Sequence, residues 1–273
     1  MALAEQFNQF ADYLKPKKDI EQRGNRLLDR LLFQVKDKSQ FKIRRVAKGG
    51  SLGKKTAIRM KVDYDCVFFL GADVDHAKFA DDLQDILITN FDLHEKDVWK
   101  SPNTHCVSFA LEGFDFDFLP AVYLDEDRVK QVKKTLLTPD YATPGLTEGT
   151  IIFMSEQPGF TNRLARLLKF WSHTVFVSGF VHGRSYSLEL IAALTADEMR
   201  PDEDLFRGFR NAIDKITDYK KINHYWEHFY DVSMIDKKIL YEHPLLLDVS
   251  DPKNNLLSPD RLGWFHTMSE YAK

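Results

Sequence analysis

The sequence predicts an α+β protein, with a mixed β-sheet and helices in its first half and helices alone in its second half. Residues 62–70 have the length and composition of a buried strand, whereas apolar residues recur at helical spacing beyond residue 160. Between Pro139 and Pro158 the chain is rich in Pro, Gly and Thr, which predicts a long connection. We therefore expect two lobes, residues 1–150 and residues 151–273, with a cleft between them.

The elements of the first half follow from the spacing of apolar residues. Two amphipathic helices are expected on either side of Pro16, because apolar side chains recur every three or four residues there. Residues 62–70 are expected to form a strand buried on both faces, since successive apolar side chains point in opposite directions. A helix is expected over residues 76–90, and a second pair of strands ends in residues 114–120.

The second half shows a helical period throughout, which predicts at least three amphipathic helices. The apolar residues that define them are Leu164, Leu167, Leu168, Trp171 and Val175, then Leu188, Ile191 and Ala192, then Leu205, Phe206, Phe209, Ile213 and Ile216. Helices of this kind bury their apolar stripes against one another, so we expect a helical lobe with its own core.

Composition limits the class of protein. The 273 residues are 44% hydrophobic and 29% charged, which is typical of a soluble globular chain that is long enough to be an enzyme. No apolar run approaches the roughly 20 residues that cross a bilayer, and the first residues do not resemble a secretory signal. We expect no membrane association and a cytoplasmic or nuclear location. Cys66 and Cys106 lie in apolar segments typical of reduced, buried thiols.

Positive charge is concentrated at the start of the chain. Residues 1–61 contain 16 Lys and Arg against 6 Asp and Glu, a net charge of +10, whereas the remainder contains 22 against 35, a net charge of −13. A basic region of this kind favours the binding of a polyanion, although a basic surface is often no more than solvated.

Two carboxylates share one face of the strand predicted over residues 62–70. Asp63 and Asp65 are two residues apart, so their side chains emerge on the same side of the sheet. Such a pair is costly inside a protein unless a cation neutralises it, and Mg²⁺ prefers oxygen ligands. The pair therefore predicts a magnesium site. The alternative is that one Asp lies at the end of the strand and the other pairs with a lysine.

A glycine-rich turn precedes this strand, and a third carboxylate follows it. Residues 49–53 read Gly-Gly-Ser-Leu-Gly; small residues let backbone N–H groups approach a phosphate closely, and the Ser51 hydroxyl is a further donor. The spacing is not that of a P-loop. On a later strand Asp117 supplies a third carboxylate. Asp115 shares its face, and periodicity alone does not decide between them; we favour Asp117.

Together these motifs resemble the signature of nucleotidyltransferases, and in detail they resemble the 2′-5′-oligoadenylate synthetase family. The segments that carry the resemblance are residues 48–59, 63–70, 116–121, 166–171, 185–190 and 247–255. The resemblance spans nearly the whole chain. It implies the nucleotidyltransferase fold with the active site in the cleft. It also implies a template-independent, monomeric enzyme that polymerises ATP into 2′-5′-linked oligoadenylates and releases pyrophosphate.

The resemblance also implies a role for each matched residue. Asp63 and Asp65 would bind two metal ions, Mg²⁺ or Mn²⁺, together with the donor triphosphate, and Asp117 would complete the acceptor-side metal. The implied nucleotide-binding residues are Gly50, Ser51, Arg166, Lys169, Ser185 and Tyr186. Arg166 and Lys169 are expected on the polar side of their helix, pointing at phosphates. Tyr186 would stack on a nucleobase, and Ser185 replaces the glutamine of vertebrate members.

In this family a basic surface binds double-stranded RNA, which switches the active site on. The residues expected to form that surface are Lys17, Lys18, Arg23, Arg26, Arg30, Lys42 and Lys54. Two alternatives stay open. One is a constitutively active synthetase that needs no RNA. The other is a receptor similar to cyclic GMP-AMP synthase that makes a cyclic dinucleotide, without the vertebrate zinc thumb, because two cysteines cannot supply its three Cys ligands.

Overall fold

The structure, a computed structural model, describes residues 3–125, 143–175, 184–229, 231–258 and 262–273, and it has the predicted α+β fold. The helices are α1 (Leu3–Tyr13), α2 (Lys18–Lys38), α3 (Gly50–Gly53), α4 (His76–Phe91), α5 (Thr143–Glu156), α6 (Gly159–Val175), α7 (Arg184–Met199), α8 (Leu205–Thr217), α9 (Lys237–Leu240) and α10 (Leu262–Ala272). The strands are β1 (Arg45–Lys48), β2 (Asp63–Leu70), β3 (Val98–Lys100), β4 (Val107–Leu111), β5 (Phe114–Val122), β6 (Asn223–His224) and β7 (Leu245–Leu246). None of the described helices is both long and apolar enough to cross a lipid bilayer.

A mixed sheet of five strands is the framework of the first half. Its strand order is β1-β2-β5-β4-β3, with β2 and β5 parallel and the other neighbours antiparallel. Parallel neighbours need a long crossover connection, and α4, β3 and β4 lie between β2 and β5 in the chain. The sheet therefore sets two segments side by side that are about fifty residues apart in sequence.

Strand β2 is buried on both faces, as its continuous apolar run predicted. On one face, Cys66 and Phe68 belong to a core that also contains residues of α2 and α4. On the other face, Val67 and Phe69 pack with Ala121 of β5. A strand enclosed on both sides is held rigidly, so the residues at its start have fixed positions.

A helix occupies most of the stretch that the sequence predicted to be a connection. Helix α5 buries Leu146, Phe153 and Met154. The prediction is wrong there because Pro144 lies in the first turn of the helix, where its missing N–H has no helical partner to lose. Residues 139–142, which belong to the same predicted connection, lie outside the described residues.

The helices of the second half pack around a separate core, as predicted. Leu168, Ile191, Ile216 and Phe265 are buried members of that core and come from α6, α7, α8 and α10. The second half also contains a short parallel pair, β6 with β7, in addition to the predicted helices.

The chain divides into two compact units. We call Pro16–Ala57 with Lys61–Ile151 the sheet unit, and the described residues of Met1–Lys15, Ile58–Met60 and Ile152–Lys273 the helical unit. Helix α1 thus belongs to the helical unit, whereas it was expected in the lobe of residues 1–150. The reason is lateral packing: the rings of Phe7 and Phe206 lie 5.2 Å apart, and Arg163 donates to the side chain of Asn8 at 3.0 Å.

Both cysteines are reduced and buried, as expected. Burial, reinforced by the charge of Asp65, raises the pKa of the Cys66 thiol to about 12. Burial and the charge of Asp117 raise the pKa of Cys106 to about 12. Because the thiolate is the reactive form, both thiols are inert near neutral pH.

Candidate active site

Four aspartates lie on one face of the sheet where β2 and β5 run side by side. Asp63 and Asp65 on β2, like Asp115 and Asp117 on β5, alternate with buried aromatic residues. The register pairs Asp63 with Asp115 and Asp65 with Asp117. Residues that face each other on neighbouring strands point to the same side, so the register gathers the carboxylates of two distant motifs.

The electrostatic centre of this group is Asp65. Burial raises the pKa of Asp65 to about 6, and the negative charges of Asp117 and Asp63 add to the increase. The positive charges of Lys54 and Lys61 act in the opposite direction. The charged form of this carboxylate is therefore unfavourable in the folded protein, and a bound cation would relieve the repulsion.

Asp117 and Asp115 differ in their surroundings. Ser108 of β4 lies opposite Asp117, and its Oγ donates a hydrogen bond to Oδ1 of Asp117. Asp115 lies opposite Ala110 and is exposed to solvent. Asp117 is the register partner of Asp65, and its negative charge adds to the effect of burial in raising the pKa of Asp65. These surroundings favour Asp117 as the third carboxylate of the site.

The carboxylates suit a hard divalent cation such as Mg²⁺ or Mn²⁺. Oδ1 of Asp63 is buried without a hydrogen-bond partner, which is costly unless a cation meets it. Oδ2 of Asp63 forms an ion pair with Nζ of Lys61 at 2.9 Å. In the described part of the chain, no three His, Cys, Asp or Glu side chains are already gathered closely enough to hold a metal ion. Asp63, Asp65 and Asp117 supply carboxylate oxygens, the kind of ligand that such an ion prefers.

The glycine-rich turn lies directly against Asp65. Gly49 N donates to the carbonyl oxygen of Asp65 at 2.7 Å, and Gly50 has a left-handed backbone with φ of +62°. A Cβ on Gly50 would lie 1.6 Å from Oδ2 of Asp65, so no larger residue fits without a shift. Ser51 follows with a partly exposed side chain. The turn is thereby fixed beside the carboxylates.

Arg166 and Lys169, which the sequence predicted on the polar side of α6 and pointing at phosphates, are buried rather than on a solvated face. Each is only 3% exposed. Nε of Arg166 donates to the carbonyl oxygen of Ala11 at 3.5 Å, and Nζ of Lys169 forms an ion pair with Glu189 of α7 at 2.5 Å. Charged groups are buried only when they have such partners, and helical spacing could not reveal those partners.

Ser185 and Tyr186 lie in the first turn of α7. Ser185 is exposed, whereas Tyr186 is partly buried with its ring packed against the helical core. The Tyr186 hydroxyl donates to Oδ1 of Asp248 at 2.8 Å. Burial, followed by the charge of Asp248 and this hydrogen bond, raises the pKa of Tyr186 well above its ordinary value. The phenol therefore remains a donor at neutral pH.

Three arginines of α2 lie on one side of that helix and are exposed. Arg23 lies over the ring of Phe114, with 4.9 Å from its Cζ to the ring centroid, and donates to the carbonyl oxygen of Glu112. Arg30 forms an ion pair with the carboxylate of Glu112 at 3.2 Å. Arg26 lies between them on the same face. Two of the three guanidinium groups thus already have partners in the sheet unit.

The lysines predicted to bind RNA fall into two groups. Lys17, Lys18 and Lys42 are exposed. Lys54 is only partly exposed, and its charge opposes the rise in the pKa of Asp65. Lys54 therefore lies close to the carboxylates, which makes it a candidate for phosphate binding at that site rather than for an outer RNA surface.

A model of the domain described as 2'-5'-oligoadenylate synthetase 1, domain 2, C-terminus, matches residues 119–273, more than half of the chain. The chain belongs to the 2′-5′-oligoadenylate synthetase family. Two Mus musculus relatives, 2'-5'-oligoadenylate synthase 3 and 2'-5'-oligoadenylate synthase 2, are each 25% identical to it over 93% and 96% of its length. The chain spans 26% and 41% of the length of these two synthases.

Two solved structures share the fold of this chain, and one further relative is named as inactive. The CdnC protein of E. coli MS115-1 with ATP superimposes with a TM-score of 0.65 at 22% identity, over 98% of this chain and 88% of that one. The Cid1 poly(U) polymerase bound to MgATP gives 0.59 at 12% identity, over 97% and 82%. These similarities confirm the nucleotidyltransferase fold. A further Mus musculus relative, 27% identical over 90% of this chain and 77% of its own, is named Inactive 2'-5'-oligoadenylate synthase 1B, so membership of the synthetase family does not itself establish catalysis.

Three of four polar contacts in this synthetase family member were not foreseen, and the fourth, between Asp63 and Lys61, matches the alternative in which one Asp pairs with a lysine. Glu189 and Asp248 lie inside segments that carry the family resemblance, so their place in those motifs was the available signal. Ser108 and Lys61 gave no such signal, because a serine on a strand and one lysine among many are common. Only the register and the ion pair identify them.

Proposed function

We propose that the protein is a template-independent nucleotidyltransferase that joins ATP into 2′-5′-linked oligoadenylates and releases pyrophosphate. The observation that carries the proposal is the register of β2 and β5, which sets Asp65 beside Asp117 on the face bordered by Gly50. A group of carboxylates that repel one another opposes folding, so its presence is better explained by chemistry than by stability.

In this proposal Asp63, Asp65 and Asp117 hold two divalent cations, Mg²⁺ or Mn²⁺. Bound there, the ions would activate a ribose hydroxyl and stabilise the departing pyrophosphate during in-line displacement at the α-phosphorus. The turn at Gly50 and Ser51 offers backbone N–H groups and a hydroxyl to the donor triphosphate. Because Gly50 touches Asp65, the turn fixes the triphosphate relative to the carboxylates.

The proposed nucleotide contacts of the helical unit are Arg166, Lys169, Ser185 and Tyr186. Lys169 is already paired with Glu189, so a phosphate would have to share its ammonium group with that carboxylate. Tyr186 would stack on a nucleobase. Ser185 is exposed in the turn beside it and offers a short hydroxyl for a polar contact.

We also propose that double-stranded RNA activates the enzyme through the exposed basic residues of the sheet unit. The support is their exposure together with the net charge of +10 over residues 1–61. Duplex RNA is recognised mainly through its phosphates and 2′-hydroxyls, which suits a row of arginines and lysines without a base-reading pocket.

The decisive experiment is a product analysis. Purified protein is incubated with ATP, GTP and Mg²⁺, with and without duplex RNA, and products are resolved by mass spectrometry before and after a nuclease that cleaves only 3′-5′ bonds. Linear, nuclease-resistant oligoadenylates support the proposal, and Asp65→Asn should abolish them. A cyclic dinucleotide would replace the proposed product with the alternative one. Absence of any product under both conditions, with ATP and metal present, would overturn the catalytic proposal.

A further inference from the structure

The carboxylate of Asp248 is the centre of a closed loop near the end of the chain, although it carries a charge and is only 6% exposed. Its Oδ1 accepts from the backbone N and the Oγ of Ser250, both at 2.9 Å, and its Oδ2 accepts from Nδ2 of Asn254 at 2.9 Å. Asp248 N in turn donates to the carbonyl oxygen of Asn254 at 3.0 Å. We call residues 248–254 the Asp248 loop.

The far end of this loop is anchored by Asn255, which is 5% exposed. Its Oδ1 accepts from Leu246 N at 3.1 Å and Leu257 N at 3.0 Å, and its Nδ2 donates to the carbonyl oxygen of Pro244 at 3.0 Å. These three hydrogen bonds with backbone groups hold the chain on both sides of Asn255, and its Nδ2 also donates to Oε2 of Glu242 at 2.8 Å. The Asp248 loop is therefore a rigid support rather than a free surface turn.

One further donor reaches the buried carboxylate from another element. The Tyr186 hydroxyl on α7 donates to the same Oδ1 of Asp248 at 2.8 Å. A hydrogen bond to a charged acceptor is stronger than one between neutral groups. The Tyr186 ring is thus held along its side by the helical core and at its hydroxyl end by Asp248, with a further hydrogen bond from the backbone of Val249 in the same loop.

We propose that Asp248 is a positioning residue that fixes the ring of Tyr186 at the angle needed to stack on a nucleobase. The inference rests on the proposed function. It assigns the segment 247–255, which contains Asp248, a role in binding the base of the nucleotide. An aromatic ring gains stacking energy only when it lies flat against the base. Without the contact at its hydroxyl end, the ring can tilt about its side-chain torsions and lose part of that energy.

The test separates base binding from triphosphate binding. Tyr186→Phe keeps the ring and removes the hydrogen bonds of the hydroxyl with Asp248 and with the backbone of Val249, so the KM for ATP should rise about three- to tenfold while kcat changes by less than about twofold. Inorganic tripolyphosphate has no base, and its inhibition constant should be unchanged. Tyr219→Phe is the matched control, because Tyr219 is also a buried tyrosine of the helical unit and its ring packs on Phe265.

A rescue pair tests Asp248 itself. Asp248→Ala should raise the KM for ATP at least as much as Tyr186→Phe, with the same selectivity for the base-containing ligand. In the double variant Asp248→Asn/Asn254→Asp, the introduced amide can still accept from Tyr186 and can donate to the introduced carboxylate, so the KM should return toward the wild-type value. Tyr186→Phe remains informative if Asp248→Ala does not fold.

The possible outcomes separate the proposed role of Asp248 from the proposed nucleotidyltransferase activity on which it rests. If Tyr186→Phe melts at a lower temperature but keeps the wild-type KM for ATP, the contact is merely structural and the inference is wrong. If ATP and tripolyphosphate lose affinity equally, the ring is not a base platform, and the inference is again wrong. If the wild-type protein neither binds nor uses ATP, the proposed function fails and the inference fails with it.

Discussion

Gly50 and the Asp65 carboxylate lie so close together that there is no room for a side chain on residue 50. A Cβ on Gly50 would lie 1.6 Å from the Asp65 carboxylate, at a backbone φ of +62°. The neighbouring Gly49 N donates to the carbonyl oxygen of Asp65 at 2.7 Å. The glycine-rich turn is therefore held directly against strand β2. The position of the Asp65 carboxylate limits where the turn can lie.

The first prediction is that Gly50→Ala damages both folding and catalysis. The left-handed backbone alone costs about 1–2 kcal/mol for a residue with a Cβ, and the clash with Asp65 adds to it. We expect a lower melting temperature and loss of measurable synthesis. The control is Gly159→Ala at the start of α6, where an added Cβ meets nothing within 4 Å. If Gly50→Ala behaves like Gly159→Ala, the close approach is not a feature of the protein.

The second prediction is that Asp65→Asn stabilises the protein. Burial and neighbouring carboxylates raise the pKa of Asp65 to about 6 in the folded chain. The charged form therefore destabilises the fold at higher pH, and Asp65→Asn should add about 1–3 kcal/mol to the free energy of unfolding at pH 7 in chelator. The gain should shrink as the pH falls below about 6 and should disappear below the ordinary pKa of 3.8, where Asp65 is protonated in both states. Denaturant titrations at several pH values measure it, with the exposed Asp115→Asn as control.

Much of the fold could be predicted because its periodic signals were unambiguous. The continuous apolar run of β2 predicted a strand buried on both faces, the apolar stripe of α4 predicted a helix, and the structure confirms both. Helix α5 could not be predicted in this way, since Pro144 and neighbouring glycines resemble breakers unless their place in the first turn is known. The position of α1 was hidden for another reason: its packing on α6 and α8 is a long-range interaction without a local signal.

In the candidate site too, the features with a local sequence signal could be predicted and those that depend on long-range contacts could not. Spacing placed Asp63 and Asp65 on one face, and the strand register adds Asp117 to them. Spacing placed Arg166 and Lys169 on the polar side of their helix, but it could not show that both are buried. Local periodicity cannot identify a partner on another helix. Whether a charged side chain can be buried depends on such a partner.

The third prediction concerns the choice between the two aspartates of β5. Asp117→Asn should lower turnover at least ~10²-fold with little change in melting temperature, as expected when transition-state electrostatics are removed. Asp115→Asn, one pair along on the same face, should keep most of the activity because Asp115 is exposed. Single-turnover rates for both variants decide the matter. The reverse pattern would assign the third carboxylate to Asp115.

The fourth prediction concerns the ion pair between Lys169 and Glu189, whose side chains are 4% and 1% exposed. Lys169→Ala leaves the Glu189 carboxylate without this partner and should cost about 3–5 kcal/mol of unfolding free energy. The control Lys221→Ala removes an exposed pair with Asp218 and should cost less than about 1 kcal/mol. Denaturant titration compares them. Unchanged stability in Lys169→Ala would leave this lysine as a phosphate ligand alone.

The last prediction concerns RNA binding by the basic face of α2. Arg26 is the most informative residue to change there. Charge reversal at Arg30 would also repel Glu112, with which Arg30 is paired at 3.2 Å, so weaker RNA binding there could reflect local distortion. Arg26 is exposed on the same face of α2. Arg26→Glu should leave the melting temperature unchanged, and it should reduce the slope of log affinity against log salt by about 0.7–0.9 for each phosphate that is no longer neutralised.

RNA-stimulated synthesis should fall with that affinity, while synthesis without RNA should be unaffected, because Arg26 belongs to none of the proposed nucleotide contacts. Arg210→Glu is the matched control: it makes the same change of charge at an exposed position on α8. Equal weakening by both variants would mean that RNA responds only to net charge. If wild-type synthesis is equally fast with and without duplex RNA, and RNA binding shows no dependence on salt, the activator hypothesis is wrong. The carboxylate assignment would survive that result, since it depends on the register of β2 and β5 and not on α2.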